Sequence, residues 1–287
     1  MEEENLKQIG KYVVDTGKKL GQGSFGIVYL GYKIKKPNIP LAVKILEMDL
    51  FSKNEEYQTN QENLRREINI LTSICSPYIV DMKEIFRTEN HIYMFLRYAN
   101  SGDLERKLKQ IPSHRFNEDV GMRYFAQLVE GYKALHANNI IHRDIKPANV
   151  LIDNDIALLS DFGLGKITSI QADKRQEITA IGTPYYRSPQ LLTEDSKVIA
   201  TNKCDVWSMG ILLYEILNGK RPWNGTNIKS YYQAVINKPL MFMVELSQEV
   251  QDLIRGMLAI EEKDRLSWEQ VFTHPAILKQ NIPENPY

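Results

Sequence analysis

Only two cysteines, Cys75 and Cys204, occur in 287 residues. Two cannot build a disulfide framework, and neither has neighbours at zinc-ligand spacing, so both are expected to be small core residues. Net charge is also missing: 36 Lys and Arg balance 36 Asp and Glu. No global field pulls the chain onto nucleic acid or an anionic membrane, and its partners have to be recognised locally. The apolar runs, such as Ile211 to Leu217, fall far short of the ~20 residues of a membrane span. Met1 to Gly10 is acidic and polar, unlike a signal peptide. There is no internal repeat and no low-complexity block. A reducing, cytoplasmic setting is the expectation.

What remains is ordinary globular composition, 43% apolar and 25% charged, in a length suited to a domain of two lobes. Tyr12 to Leu20, Gly26 to Tyr32 and Leu41 to Leu46 read as strands separated by Gly or Pro. Leu64, Ile68, Leu71 and Ile74 recur at helical spacing within Asn63 to Ile74. The polar stretch Lys53 to Gln61 reads as a mobile connection. Strand patterns return around Val80 to Phe86 and Ile92 to Tyr98. After Asn100-Ser101-Gly102 the period becomes helical, over Phe116 to Asn138, Asp205 to Asn218, Ser247 to Ala259 and Ser267 to Phe272. The order predicts an α+β chain of two lobes, with a cleft for a small ligand.

Gly21-Gln22-Gly23-Ser24-Phe25-Gly26-Ile27-Val28 is G-x-G-x-x-G-x-V. Such glycines let a backbone fold over phosphates and offer its N–H groups. A strand, not a helix, follows Gly26, so the segment is either a nucleotide lid or a plain hairpin. Ala42-Val43-Lys44-Ile45 places a lysine in an apolar strand. Burial there demands an anionic partner, and Glu67 on the predicted helix is the candidate. The most specific segment is His142-Arg143-Asp144-Ile145-Lys146-Pro147-Ala148-Asn149, followed by Asp161-Phe162-Gly163. Phosphoryl transfer needs a carboxylate for the hydroxyl proton, oxygen ligands for magnesium and a cation beside the transferring group. Asp144 can be the first, Asn149 and Asp161 the second, and Lys146 the third.

With these motifs the chain resembles the eukaryotic protein kinases over nearly its whole length, from about Tyr12 to Pro275. The resemblance implies a bilobal protein kinase fold, with a β-rich N-lobe carrying one helix and a mainly helical C-lobe. It divides the chain into a lead-in (1–11), a catalytic domain (N-lobe 12–96, hinge 97–102, C-lobe 103–275) and a tail (276–287). It implies ATP and magnesium as cofactors and protein substrates as partners. Lys44 would bind the α- and β-phosphates and pair with Glu67. Asp144 would be the catalytic base, Asn149 and Asp161 the metal ligands, and Lys146 the γ-phosphate contact. Gly21, Gly23 and Gly26 would form the lid. Leu20, Val28, Ala42 and Leu151 would sandwich adenine, with Leu96 as gatekeeper. Arg97 to Ala99 would bond the base through their backbone, and Asp103 the ribose. Met82, Leu71, Phe162 and His142 would stack as a spine anchored on Asp205.

Lys-Pro-x-Asn after the catalytic Asp, with Gly182-Thr183-Pro184-Tyr185-Tyr186, resembles the serine/threonine branch. Thr183 would bond Lys146 and Asp144. Within that branch the catalytic loop is similar to the NIMA-related kinases, while Ile9 to Val14 and Ser188-Pro189-Gln190 are more similar to the unc-51-like, autophagy-initiating kinases. Thr179 takes the position of an activating phosphothreonine that would meet Arg143, phosphorylated by an upstream kinase or in trans. Ala148 weakens the case for a basic consensus. Arg187 falls at the wall of the pocket for the residue after the acceptor, where an acidic or polar neighbour would suit it unless it points to solvent. Leu164 leans towards serine. Gln190 departs from the family, whose glutamate pairs with an arginine matching Arg265, so Gln190→Glu is expected to stabilise. The rival reading is a pseudokinase scaffold, which the presence of Lys44, Asp144, Asn149 and Asp161 counts against. A small-molecule kinase conflicts with the long activation segment.

Overall fold

A computed structural model describes residues 5–23, 26–47, 64–65, 67–162, 166–167, 176–178, 184–192 and 198–283. The chain divides into two compact units, residues 1–73 with 80–100, and residues 74–79 with 101–287. The expected mobile connection at 53–61 lies outside the described residues.

The first unit is one antiparallel six-stranded sheet in the order β1-β2-β3-β4-β6-β5. Its strands are β1 (Leu6–Ile9), β2 (Tyr12–Gly23), β3 (Gly26–Lys33), β4 (Lys36–Glu47), β5 (Met82–Arg87) and β6 (His91–Arg97). Helix α1 covers residues 67–73. The sheet curls, because Tyr12 at the start of β2 reaches β5 and β6. Its ring stacks on Phe95 at 4.1 Å and meets Phe86 edge-on at 5.9 Å. Its hydroxyl donates to Glu84 at 2.9 Å. The core there is Ile9, Tyr12, Val14, Leu41, Val43, Tyr93 and Phe95. Strand β1 lies in what the sequence presents as a polar lead-in. It forms because Gly10, at φ +57°, makes the tight turn that pairs Ile9 with Tyr12. A Cβ on Gly10 would sit 2.8 Å from the Phe86 ring.

The second unit is mainly helical: α2 (Leu104–Lys109), α3 (Glu118–Ala137), α4 (Lys203–Asn218), α5 (Ile228–Asn237), α6 (Gln248–Met257), α7 (Trp268–Phe272) and α8 (Pro275–Leu278). Three of the predicted helices start later than expected, because Asn117, Ser247 and Ser267 cap rather than join them, while α4 starts earlier, at Lys203 rather than Asp205. Helix α4 is apolar on nearly every side and is buried from Cys204 to Leu217 save for partly covered Glu215, the pattern of a central core helix. No helix among the described residues is long and apolar enough to cross a membrane. Strands β7 (Ile140–Ile141), β8 (Val150–Asp153) and β9 (Ile156–Leu159) flank the segments holding Asp144, Lys146, Asn149 and Asp161. The β8–β9 turn is Asn154-Asp155, both at positive φ, as a tight two-residue hairpin requires. Pairs β7 with β10 (Lys166–Ile167) and β11 (Gln176–Ile178) with β12 (Val198–Ala200) complete the strands. Cys204 is buried as expected, but Cys75 is exposed, in the irregular stretch that follows α1.

Candidate active site

In the first unit, Val28 pairs with Lys44, and Ala42 with Leu96. Direct cross-strand partners share a face, so Val28, Ala42, Lys44 and Leu96 lie together. Leu41, Val43 and Ile45 occupy the opposite face and pack into the core. The Lys44 ammonium donates to both Glu67 oxygens, at 2.7 and 3.0 Å. Both side chains are almost wholly buried, and an unpaired lysine could not stay there charged. Leu20 is half exposed, Gly21 pairs with Val28, and Gly23 with Gly26. Arg97 ends β6 with its N–H on the Asp81 carbonyl at 3.0 Å, and Ala99 follows.

The glycines differ in why they are glycine. A Cβ on Gly26 would lie 2.1 Å from the Ile45 carbonyl oxygen, so packing alone excludes any side chain. A Cβ on Gly21 would meet nothing within 4 Å. Packing therefore does not account for Gly21, whereas a phosphate lying over the strand would.

In the second unit the loop after β7 is built around the Asp205 carboxylate. Asp205, fully buried at the start of α4, accepts the backbone N–H of His142 at 2.6 Å and of Arg143 at 2.9 Å. The Tyr132 hydroxyl adds a third bond at 2.7 Å. Burial pushes the Asp205 carboxyl up, and the neighbouring His142 together with these donors opposes that push. The bonds fix Arg143 at φ +67°, a left-handed conformation that a non-glycine residue rarely adopts. Next to it, His142 Nε2 meets the Ser160 carbonyl at 3.0 Å, and Nδ1 accepts the Asp144 N–H at 3.3 Å. A carbonyl can only accept, so Nε2 carries the hydrogen and both ring nitrogens are committed.

The Asp144 carboxylate accepts from Lys146 Nζ at 2.7 Å and from Asn149 Nδ2 at 2.8 Å. Asn149 Nδ2 also donates to the Asp144 carbonyl at 2.8 Å, and the Asn149 carbonyl accepts from Ser160 Oγ at 2.8 Å. The Asn149 amide nitrogen is thus committed to Asp144, which leaves Asn149 Oδ1 as the atom that could meet a cation. Asp161 follows β9, exposed and at φ +61°. Phe162 is buried with its ring 5.0 Å from His142. Among the described residues no group of three or more His, Cys, Asp or Glu could hold a metal. Two oxygen ligands with water and phosphate completing the shell is the arrangement that suits magnesium.

Asp103 caps α2, its side chain accepting the Arg106 N–H at 2.8 Å, while Leu151 on β8 pairs with Leu158. Thr183, Thr179 and Leu164 lie outside the described residues. The bonds of Tyr132 and Ser160 were not readable in the sequence. Tyr132 sits on the apolar stripe of α3, where periodicity gives burial but not the direction of a hydroxyl.

Residues 14–277 match the protein kinase domain family. The serine/threonine-protein kinase atg1 of Dictyostelium discoideum is 33% identical over 94% of this chain and 39% of its own length. CBL-interacting protein kinase 10 of Oryza sativa subsp. japonica is 31% identical over 91% of the chain and 56% of its own length. An Aurora kinase of Candida glabrata is 34% identical over 92% and 71%. The chain thus spans well under two thirds of the first two relatives.

Proposed function

The chain belongs to the protein kinase family and carries a protein kinase domain of the serine/threonine class; from that premise we propose that it transfers the γ-phosphate of ATP to serine or threonine hydroxyls of protein substrates. The observation that carries this reading is the Asp144 carboxylate clamped between Lys146 and Asn149 at 2.7 and 2.8 Å. In the proposed step the acceptor oxygen bonds the γ-phosphorus, the bond to the bridging oxygen breaks, and ADP leaves. Asp144 orients the acceptor hydroxyl and takes its proton. Lys146 balances charge at the γ-phosphoryl group, and Lys44, kept in place by Glu67, holds the α- and β-phosphates. Gly21, Gly23 and Gly26 cover the phosphates. Leu20, Val28, Ala42 and Leu151 enclose adenine, Arg97 to Ala99 bond its edge, and Asp103 the ribose. Magnesium on Asn149 and Asp161 would screen the phosphate charge. Thr183 would bond Lys146 and Asp144 at the acceptor.

Regulation belongs to the same proposal. A phosphate on Thr179, placed by an upstream kinase or in trans, would bond Arg143, whose backbone Asp205 already fixes. The setting would be cytoplasmic. The subfamily reading stays with the unc-51-like or the NIMA-related kinases.

Transfer from γ-labelled ATP with magnesium to a generic protein acceptor, beside Asp144→Asn, tests the reading. Loss in the variant of about 10²–10⁴-fold is expected for removal of a general base. Parental activity in Asp144→Asn, or magnesium–ATP binding without transfer after treatment with an upstream kinase, would overturn it in favour of a pseudokinase scaffold. Mapping the labelled residue in the chain itself tests Thr179.

A further inference from the structure

The residues beyond the family match do not trail away from the second unit. After α8, the Gln280 N–H donates to the Ile277 carbonyl at 2.9 Å, turning the chain back. Ile282 then packs against the cluster of Tyr78, Ile156 and Leu158, together with Leu151. The Tyr78 hydroxyl donates to the Pro283 carbonyl. Tyr78 is fully buried, and its own carbonyl accepts the Leu159 N–H at 2.9 Å. A Cβ on Gly131 of α3 would come within 2.8 Å of that carbonyl, so Tyr78 is held tightly from the α3 side. Residues 279–283 thus form a strap over the β8–β9 hairpin.

That hairpin is the element through which the strap can act. Leu151 pairs directly with Leu158, so both point to the same face, and Ile156 joins them two positions along. Leu151 is only partly buried and packs against the same three residues as Ile282. It is also the β8 residue assigned above to the adenine. The cluster would then link the strap to a side chain at the base.

We propose that Ile282 is a positioning residue for nucleotide binding, acting on Leu151 through the Tyr78, Ile156 and Leu158 cluster they share, with the strap clamped by the Tyr78–Pro283 bond. The proposal rests on the reading of Leu151 as an adenine contact. Close packing is what makes such transmission possible, since a buried hairpin whose support is removed shifts or changes rotamer rather than bending smoothly.

The test uses the whole chain with Ile282→Ser, Ile282→Val and Tyr78→Phe. It measures KM for ATP, KM for a protein acceptor, kcat, and the Kd of magnesium–ADP by calorimetry. Ile282→Ser is expected to raise KM for ATP and Kd for ADP about fivefold, within the range of coupling between side chains that share packing partners, with acceptor KM and kcat within about twofold of parent. Ile282→Val, which keeps most of the contact, should stay near parent, and Tyr78→Phe should shift in the same direction by less. An unchanged Kd for ADP in folded Ile282→Ser overturns the proposal. So does an equal loss of every parameter that follows the folded fraction, because that marks the strap as structural only. If Ile282→Ser does not fold, an unchanged Kd in Tyr78→Phe decides against it. If the parent binds magnesium–ADP yet transfers no phosphate, the kinase reading fails while the Kd comparison still stands.

Discussion

Arg265 donates from Nη2 to the Gln190 side-chain oxygen at 2.9 Å. Arg265 is 1% exposed, and its guanidinium also bonds the carbonyls of Ala259, Lys203 and Ile260. Burial pushes it down to about 10, with Glu262 opposing. Gln190 does more than replace a charge, because its amide nitrogen donates to the Ile260 carbonyl at 2.8 Å. Gln190→Glu would supply a charge-assisted bond to Arg265 but would turn an oxygen towards that carbonyl. We expect a net gain of about 1 kcal/mol, read as a rise of roughly 2 °C in melting temperature. Gln190→Ala, which removes both bonds, should lower stability by about 2 kcal/mol in urea unfolding.

Asp205→Asn should damage both activity and stability. One carbonyl oxygen cannot replace two carboxylate oxygens that take three donors, and an amide N–H would face donors. We expect about 2–4 kcal/mol lost and transfer reduced at least tenfold with acceptor and ATP binding less affected. Urea unfolding beside steady-state kinetics checks this; wild-type kcat in a destabilised variant would show that the loop around Arg143 does not depend on Asp205.

Gly26→Ala and Gly21→Ala should separate packing from ligand contact. At Gly26 the added methyl meets the Ile45 carbonyl, so β3 must leave β4, and about 3 kcal/mol should be lost. At Gly21 the methyl meets nothing, so melting should be unchanged. A severalfold rise in KM for ATP at Gly21→Ala would then report the phosphates alone.

How far the sequence revealed this arrangement depended on what each residue needed. The Lys44–Glu67 contact could be anticipated because a buried lysine requires an acid and the helical pattern offered one in register. The Asp144 to Asn149 loop was legible from residue types at fixed spacing. Strand β1 was not, since Leu6-Lys7-Gln8-Ile9 alternates too weakly and its partner Tyr12 is reached only through the Gly10 turn. Helix α5 was also missed. Only Tyr231, Ala234 and Val235 are buried in it, and its start depends on the Asn227–Ser230 capping box. Asp103 shows the limit of motif reading: its side chain caps a helix, a role that spacing alone does not separate from ligand contact.

His274 offers a pH test. Its Nδ1 accepts the Ala276 N–H at 3.3 Å at the start of α8, and burial holds its pKa below the ordinary 6.5 despite Asp252 and Glu249 nearby. The unfolded chain therefore binds the proton more readily than the folded one. Stability should be fully present above pH 6.5 and fall as pH drops through the depressed folded value. His274→Asn, which can still cap, should flatten this part of the curve. Urea midpoints for parent and variant from pH 7.5 down to about 5.5 are the measurement.

The turn at Gly10 has a consequence for any shortened form of the protein. A chain cut to begin at the family match would lose Ile9 and Tyr12, and with them the cover over Phe86 and Phe95. It would also lose β1, turning β2 into a bare edge beside freshly wetted aromatic rings. Unpaired N–H and C=O groups next to an apolar patch are a template for another copy to dock on. Such a fragment should clump at concentrations where the intact chain stays clear.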